Sequence, residues 1–261
     1  MNPQTPTGMV EAQAVPNLQW KRNPVEVPEP PPEDLPYDDG EPLESDWHRS
    51  AMNLLIEVVR YHFRDREDFF AGGNMFLYYN EEQLRDRDFR GPDFFFVWGV
   101  DRRRERNYYA IWREGGRYPN VILELLSLTT AKIDRTLKRE LYQNTFRTPE
   151  YFLCDPYVGS LEGLRLNGTP GYEAIAPDER GWLWSKQLQM WLGTWSGEFL
   201  GQTATWPRFY DADGQLVPTF AEAAQQHAEQ EKQRAEAAEA ETARLRRELD
   251  EMRQRFPKVP E

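Results

Sequence analysis

The chain has 261 residues, 39% of them hydrophobic, and a formal net charge of −12 at pH 7. Its 14 Phe, 12 Tyr and 9 Trp supply enough apolar material for a core, which excludes a wholly disordered protein. No apolar run approaches the roughly 20 residues that cross a bilayer, the N-terminus does not resemble a secretory signal, and the lone cysteine, Cys154, excludes an internal disulfide. These features predict a cytoplasmic protein without membrane segments.

The acidic residues are concentrated near the N-terminus. Residues 24–46 contain nine Asp or Glu and no Lys or Arg, whereas residues 47–220 contain 22 basic and 24 acidic residues. The central part of the chain is therefore nearly neutral. Its charge neither supports a nucleic-acid partner nor excludes one.

Composition divides the chain into three parts. Residues 1–44 are Pro-rich and acidic and cannot bury enough apolar surface to order themselves, so we expect a disordered arm. Residues 45–219 alternate predicted helices and strands, which is typical of a folded domain. Residues 220–261 are rich in Ala, Glu, Gln and Arg, and their propensities predict one long helix.

Hydrophobic periodicity predicts the elements of the central domain in chain order. A helix begins at Ser45 or Asp46, both good N-caps, and a second helix covers about 130–146. The expected strands are 74–79, 94–98, 121–126 and 151–154, followed by short β-hairpins. This order predicts an α/β (α+β) fold with a mixed central sheet flanked by helices and a β-hairpin extension.

Two carboxylates stand beside or inside apolar strands. Asp93 directly precedes strand 94–98, and Glu124 lies within the aliphatic run VILELL. An ionised carboxylate in such surroundings costs several kcal/mol unless it is paired or binds a metal. Either carboxylate would avoid this cost on a solvated face of its strand. The sequence therefore leaves open the alternative that neither residue has a functional role.

The second predicted helix carries two neighbouring stripes. The apolar stripe, which is predicted to face the core, consists of Ile133, Leu137 and Leu141. The polar stripe lies about 100° round the helix, on the shoulder towards the body of the domain, and consists of Asp134, Lys138 and Tyr142. An ordinary surface ion pair between Asp134 and Lys138 is the alternative interpretation.

Asp93, Glu124 and Lys138 together suggest hydrolytic chemistry. Two carboxylates at the ends of adjacent strands can hold Mg²⁺ or Mn²⁺ through oxygen ligands and leave positions open for water. A lysine from the next helix can position that water or stabilise the charge that develops on a phosphate.

The order and spacing of these residues resemble the Uma2 family of restriction endonucleases, which have the PD-(D/E)XK nuclease fold. The shared pattern is Pro92-Asp93, Glu124-Leu-Leu-Ser127, Thr130, Asp134, Lys138, Tyr142 and Glu150-Tyr-Phe-Leu-Cys-Asp155-Pro156. The resemblance covers about 47–199. It implies a restriction-endonuclease-like domain that cuts DNA with Mg²⁺ or Mn²⁺ as its cofactor.

Carried over residue by residue, the resemblance implies a catalytic site. Asp93 and Glu124 correspond to the metal ligands, and Lys138 corresponds to the catalytic lysine. The usual lysine position of the superfamily is Leu126 here, so the lysine has moved to the following helix. Glu57 stands where some members add an acidic ligand. The remaining matches imply supporting residues without an assigned role, namely Ser127, Thr130, Asp134 and Tyr142.

An arginine-rich loop lies between the second and third predicted strands. Its cations, which are predicted to bind a nucleic-acid backbone beside two tyrosines, are Arg102, Arg103, Arg104 and Arg106. Asp101 and Glu105 dilute the charge of this loop, so a solvated surface loop is the alternative.

The predicted C-terminal helix contains a short apolar seam at coiled-coil spacing, formed by Leu245, Leu249, Met252 and Phe256. This seam predicts a homodimer through the helix. Because it spans little more than one heptad, a solvated helical tail is the alternative.

The sequence therefore predicts a Mg²⁺-dependent endonuclease that hydrolyses DNA phosphodiester bonds with Asp93, Glu124 and Lys138. The alternative is a catalytically inactive binding or scaffold protein with a nuclease fold, which would act through its acidic arm and C-terminal helix.

Overall fold

A computed structural model describes residues 45–80, 83, 91–127, 130–157, 159–168 and 171–255. The predicted arm, 1–44, and Phe256 of the predicted seam lie outside these residues. Helix α1 is Asp46–His62, helix α2 consists of the successive stretches Ala131–Ile133, Asp134–Lys138 and Arg139–Asn144, and helix α3 is Phe220–Arg255. The strands are β1 Phe69–Gly72, β2 Leu77–Tyr78, β3 Phe94–Trp98, β4 Tyr109–Ala110, β5 Val121–Leu125, β6 Glu150–Asp155, β7 Ser160–Leu166, β8 Tyr172–Ala174, β9 Leu183–Ser185, β10 Met190–Phe199 and β11 Gln202–Tyr210.

Among the described residues, the largest sheet has six strands in the order β1-β3-β5-β6-β7-β8. Its neighbours are antiparallel except β5 and β6, which run parallel with Ile122 opposite Tyr151. Parallel neighbours need a crossover connection, and α2 provides it. The predicted mixed sheet flanked by helices is confirmed.

Both faces of this sheet are buried. One face packs against α1 and against the antiparallel sheet β11-β10-β9, and it includes Phe94 and Leu123. The other face packs against α2 and includes Phe95 and Ile122. Because successive side chains alternate between faces, the glutamate of β5 shares the face that α2 covers.

Several elements match the sequence prediction, and others do not. Helix α1 begins as predicted, since the Ser45 hydroxyl accepts a hydrogen bond from the His48 amide at 3.2 Å. The strand predicted over 74–79 shortens to β2, which pairs in parallel with β4. Neither β1, which ends next to Gly73, nor the long β10–β11 hairpin was predicted from the sequence. Cys154 is buried in β6.

The apolar stripe of α2 packs against the core only at Leu141, whereas the polar stripe faces the sheet, as its predicted position towards the body of the domain implied. Leu137 is 59% exposed, and Ile133 is also exposed, whereas Asp134 is only 1% exposed and Tyr142 is fully buried. The polar stripe faces the sheet because the buried carboxylate of Glu124 needs a hydrogen-bond donor and a countercharge there. The stretch Asp134–Lys138 is a π-helical turn, a geometry that often occurs at functional sites.

A second buried carboxylate fastens the hairpin extension to the sheet. Glu150, at the start of β6, accepts hydrogen bonds from the Arg165 guanidinium, the Ser185 hydroxyl and the Lys186 and Gln187 amides. Each oxygen of this carboxylate therefore has a donor, as a buried charge requires.

Helix α3 leaves the domain beside α1, where the Phe220 amide donates a hydrogen bond to the Glu57 carboxylate at 3.1 Å. Further along, Leu245, Leu249 and Met252 are exposed. The helix is confirmed, and the homodimer stays a prediction. None of the helices in the described part of the chain has the length and hydropathy to cross a bilayer.

Candidate active site

The register of β3 and β5 brings two carboxylates together. Phe95 pairs with Ile122 and Phe94 pairs with Leu123, so the next antiparallel position sets Asp93 opposite Glu124. The Leu125 amide donates a hydrogen bond to Oδ2 of Asp93 at 2.7 Å, and the Asp93 amide donates to Oε2 of Glu124 at 3.4 Å. Each carboxylate is thus held by the backbone of the strand that carries the other.

Helix α2 adds three polar side chains to this pair. The Lys138 ammonium lies 3.1 Å from Oε2 of Glu124 and 2.8 Å from Oδ1 of Asp134. The Tyr142 hydroxyl donates a hydrogen bond to Oε1 of Glu124 at 2.8 Å. The structure therefore gathers Asp93, Glu124, Lys138, Asp134 and Tyr142 into one group, here called the carboxylate cluster.

Ser127 and Thr130 shape the connection from β5 to α2. The Ser127 hydroxyl accepts a hydrogen bond from the Thr130 amide and lies 3.0 Å from the Thr130 hydroxyl. The Thr130 side chain also hydrogen-bonds Asp134. These contacts fix the start of the helix that carries Lys138, which gives both residues a positioning role.

Burial and mutual repulsion disturb the protonation of the cluster. Glu124 is 0% exposed, and burial, opposed by Lys138 and assisted by Asp93, raises its pKa to about 7. Burial likewise raises the pKa of Asp93 and the pKa of Asp134. Burial alone would lower the pKa of Lys138, but Glu124 and Asp134 raise it, so the ammonium stays charged at neutral pH.

The charges of the cluster do not balance. Three carboxylates face one ammonium, so two negative charges lack a partner within the cluster when all its members are ionised. A divalent cation would supply that charge, and the carboxylate oxygens of Asp93 and Glu124 are the ligand type that Mg²⁺ and Mn²⁺ prefer.

The residues present fit such a cation as a partial ligand set. Within the described residues, no three His, Cys, Asp or Glu side chains are grouped to hold a metal ion between them. A cation here would take its ligands from Asp93 and Glu124 and complete its shell with water or substrate oxygens, as Mg²⁺ commonly does.

Part of the chain matches a known protein family. Residues 19–195 match the family model Uma2, described as "putative restriction endonuclease". The chain belongs to the Uma2 family. A solved structure, described as a putative nuclease belonging to DUF820 from Anabaena variabilis, is 16% identical, covers 54% of this chain and 76% of its own, and has a TM-score of 0.39. A comparison with curated proteins finds no match.

Two predictions that the Uma2 resemblance implied outside the cluster can be placed. Leu126, at the usual lysine position, is buried among the apolar residues on the α2 side of the sheet. Lys138 instead reaches Glu124 from α2, as the resemblance implied. The carboxylate of Glu57, which stands where some members add an acidic ligand, accepts a hydrogen bond from the Phe220 amide at the start of α3.

Sequence reasoning missed two residues that support the cluster. His48, buried in α1, donates through Nε2 to the Leu125 carbonyl oxygen at 3.1 Å and so holds the end of β5. Tyr151, in β6, donates its hydroxyl to the Asp134 carbonyl oxygen at 3.0 Å, where α2 becomes π-helical. His48 precedes Ala51 and Leu55 by three and seven residues, a spacing that places it on the buried side of α1, and that spacing was the available signal.

The arginines that were predicted to bind nucleic acid differ in their exposure and in the partners that their guanidinium groups already have. The prediction that Arg106 contacts nucleic acid is corrected, because its side chain is 2% exposed and its Nε and Nη2 both donate to the Glu114 carboxylate. Arg103 is 78% exposed and pairs with Glu67 on the surface. Arg102 donates to three backbone carbonyls, and Arg104 donates to the Arg113 carbonyl.

Proposed function

We propose that the protein is a Mg²⁺- or Mn²⁺-dependent endonuclease that hydrolyses phosphodiester bonds of DNA. In this proposal Asp93 and Glu124 are the metal ligands and Lys138 is the catalytic lysine. The observation that carries the proposal is the pairing of two opposed carboxylates with one ammonium 3.1 Å from Glu124, in a member of the Uma2 family. Arg102 and Arg104 remain candidates for contact with the DNA backbone, whereas Glu67 pairs with Arg103.

Each side chain of the cluster has a defined task in the proposed hydrolysis. A bound cation would polarise the phosphodiester and acidify a water molecule. Lys138 stays protonated and can donate to the phosphate oxygen on which negative charge develops as water adds to phosphorus and the ester oxygen leaves. Asp134 holds the ammonium at 2.8 Å, and Tyr142 fixes the carboxylate of Glu124.

The Leu125 amide orients Asp93. Because this donor belongs to β5, movement of either strand would separate the two carboxylates and disturb both ligands. Positioning of this kind is worth several kcal/mol in enzymes, since the reacting groups then need no reorganisation.

The test is cleavage of supercoiled and linear plasmid DNA in Mg²⁺ or Mn²⁺ by the wild type, Glu124→Gln and Lys138→Met. Glu162→Gln is the matched control, since Glu162 is a half-exposed partner of Arg135 outside the cluster. We expect metal-dependent cleavage by the wild type and the control, and loss of at least about 100-fold in the two cluster variants. Cleavage that survives Glu124→Gln contradicts the assignment. No cleavage by the wild type with either metal would favour the scaffold alternative.

A further inference from the structure

An arginine-lined cavity lies beside strand β1. It has a volume of about 390 Å³, within the range of ligand sites, and its lining includes Arg60, Arg102, Arg104, Glu105 and Gly73. Arg60 comes from α1, and the other three arginines of the lining, Arg102, Arg104 and Arg106, come from the loop after β3, so the cations converge from separate parts of the chain. Sequence analysis did not single out Arg60.

Arg60 and Arg102 differ from the arginines around them in lacking an acidic partner. Arg66 pairs with Asp68, Arg103 with Glu67 and Arg106 with Glu114. In contrast, Arg60 donates to the Ala71 carbonyl and Arg102 to the Phe63, Arg64 and Arg66 carbonyls. Throughout the described ranges, no carboxylate lies within ion-pair distance of either guanidinium.

The two guanidinium groups are also close enough to repel each other. Burial lowers the pKa of Arg60, and the charge of Arg102 lowers it further. Glu105 is the carboxylate in the lining, and no ion pair joins it to an arginine of the described chain. Unpaired like charges beside an open cavity attract an anion, and the planar guanidinium matches phosphate oxygens geometrically.

No residue of the carboxylate cluster is among the described residues that line the cavity, but the wall of the cavity meets the backbone that carries Asp93. Gly73, in its wall, packs so tightly on β3 that a Cβ there would lie 2.0 Å from the Asp93 carbonyl oxygen. The Asn74 amide donates to the Pro92 carbonyl at 2.9 Å. Successive phosphates of a DNA strand are spaced about every 3.4 Å along the helix axis. When one phosphate of a strand lies at Asp93, a neighbouring phosphate of the same strand therefore lies close enough to reach the cavity.

We infer that this cavity is a phosphate-binding subsite, formed chiefly by Arg60 and Arg102, which holds a backbone phosphate of the nucleic acid next to the carboxylate cluster. The inference rests on the proposed function for its ligand, a phosphodiester chain. It excludes Arg103 and Arg106 from this contact, because Glu67 and Glu114 already neutralise them.

The experiment measures binding of a fluorescent duplex oligonucleotide by anisotropy in EDTA, over a series of salt concentrations. Arg60→Gln should weaken binding about tenfold and reduce the salt dependence by about one released counterion. Arg60→Lys, which retains the charge, should keep most of the salt dependence. Arg103→Gln is the matched control, a surface arginine of the neighbouring loop, and should bind like the wild type.

Equal effects of Arg60→Gln and Arg103→Gln, or no effect of either, would overturn the inference. Thermal unfolding checks that Arg60→Gln is folded. Inorganic phosphate, titrated separately, distinguishes a free anion from a polymer: tight phosphate binding that needs Arg60, with unchanged DNA binding, would also overturn it. EDTA prevents metal-dependent cleavage, so binding and cleavage are measured separately. DNA binding that depends on Arg60, without cleavage once metal is added, would refute the proposed function alone. Cleavage with metal, without DNA binding that depends on Arg60, would refute this inference alone.

Discussion

The raised pKa of Glu124 makes the stability of the metal-free protein depend on pH. In the folded chain this carboxyl has a pKa of about 7, against its ordinary value of 4.5. Between these values the folded state holds a proton that the unfolded state releases. The free energy of unfolding must therefore fall as the pH rises through this window. Replacement of Glu124 by Gln removes the titrating group and keeps its shape.

The size of the effect follows from the two pKa values. The full difference corresponds to about 3 kcal/mol, of which about 2 kcal/mol is lost between pH 5 and pH 8. Asp93 and Asp134 also have raised pKa values and add to the same trend in the wild type. Removing the charge of Glu124 also relieves the repulsion that raises the pKa of Asp134, so the variant should show a flatter dependence on pH.

The assay is urea unfolding in EDTA at several pH values for the wild type, Glu124→Gln and the exposed control Glu162→Gln. We expect the wild type and the control to lose about 2 kcal/mol more than Glu124→Gln from the acidic to the alkaline end. Parallel curves for all three proteins would refute the argument, because Glu124 would then have its ordinary pKa in the folded state.

Three further predictions concern single contacts. Tyr142→Phe removes the hydroxyl that donates to Glu124, so the pKa of Glu124 should rise further and the pH at which Mn²⁺ binds, followed by calorimetry, should move upwards. Lys138→Met should abolish DNA cleavage. It also removes the charge that lowers the pKa of Glu124, so Mn²⁺ should bind at least as tightly only at a pH at which Glu124 is fully ionised, because an ammonium 3.1 Å from a ligand opposes the cation; weaker Mn²⁺ binding at that pH would contradict this account. Glu150→Gln should lower the free energy of unfolding by about 3 kcal/mol and leave Mn²⁺ affinity unchanged, since it breaks a buried charge network away from the cluster.

The sequence predicted the parts of the fold that depend on local patterns. Helix α1 follows from its N-cap and apolar spacing. Strands β3 and β5 follow from short runs that are nearly continuous in apolar residues, which predicts buried strands. Strand β1 was missed because the residues 69–72 lie beside Gly72-Gly73, a pair that indicates a break. Only tertiary pairing with β3 makes that segment a strand.

The orientation of α2 could be read only in part from its own sequence. Periodicity alone favours burial of Ile133 and Leu137, yet the structure buries Asp134 and Tyr142. The deciding factor is Glu124, which lies on another element and requires a donor and a countercharge. A local pattern cannot include that requirement. For the same reason Arg60, on α1, could not be connected with the arginine loop before the fold was known.

The most direct test of the central claim, that Asp93 and Glu124 form a metal site, is a calorimetric titration with Mn²⁺ at pH 8. It compares the wild type with Asp93→Asn/Glu124→Gln and with Glu162→Gln, each alone and with duplex DNA. The account predicts binding of about one or two ions by the wild type and the control, and no binding by the double variant. Equal binding by all three proteins, or no binding by the wild type even with DNA, would contradict it.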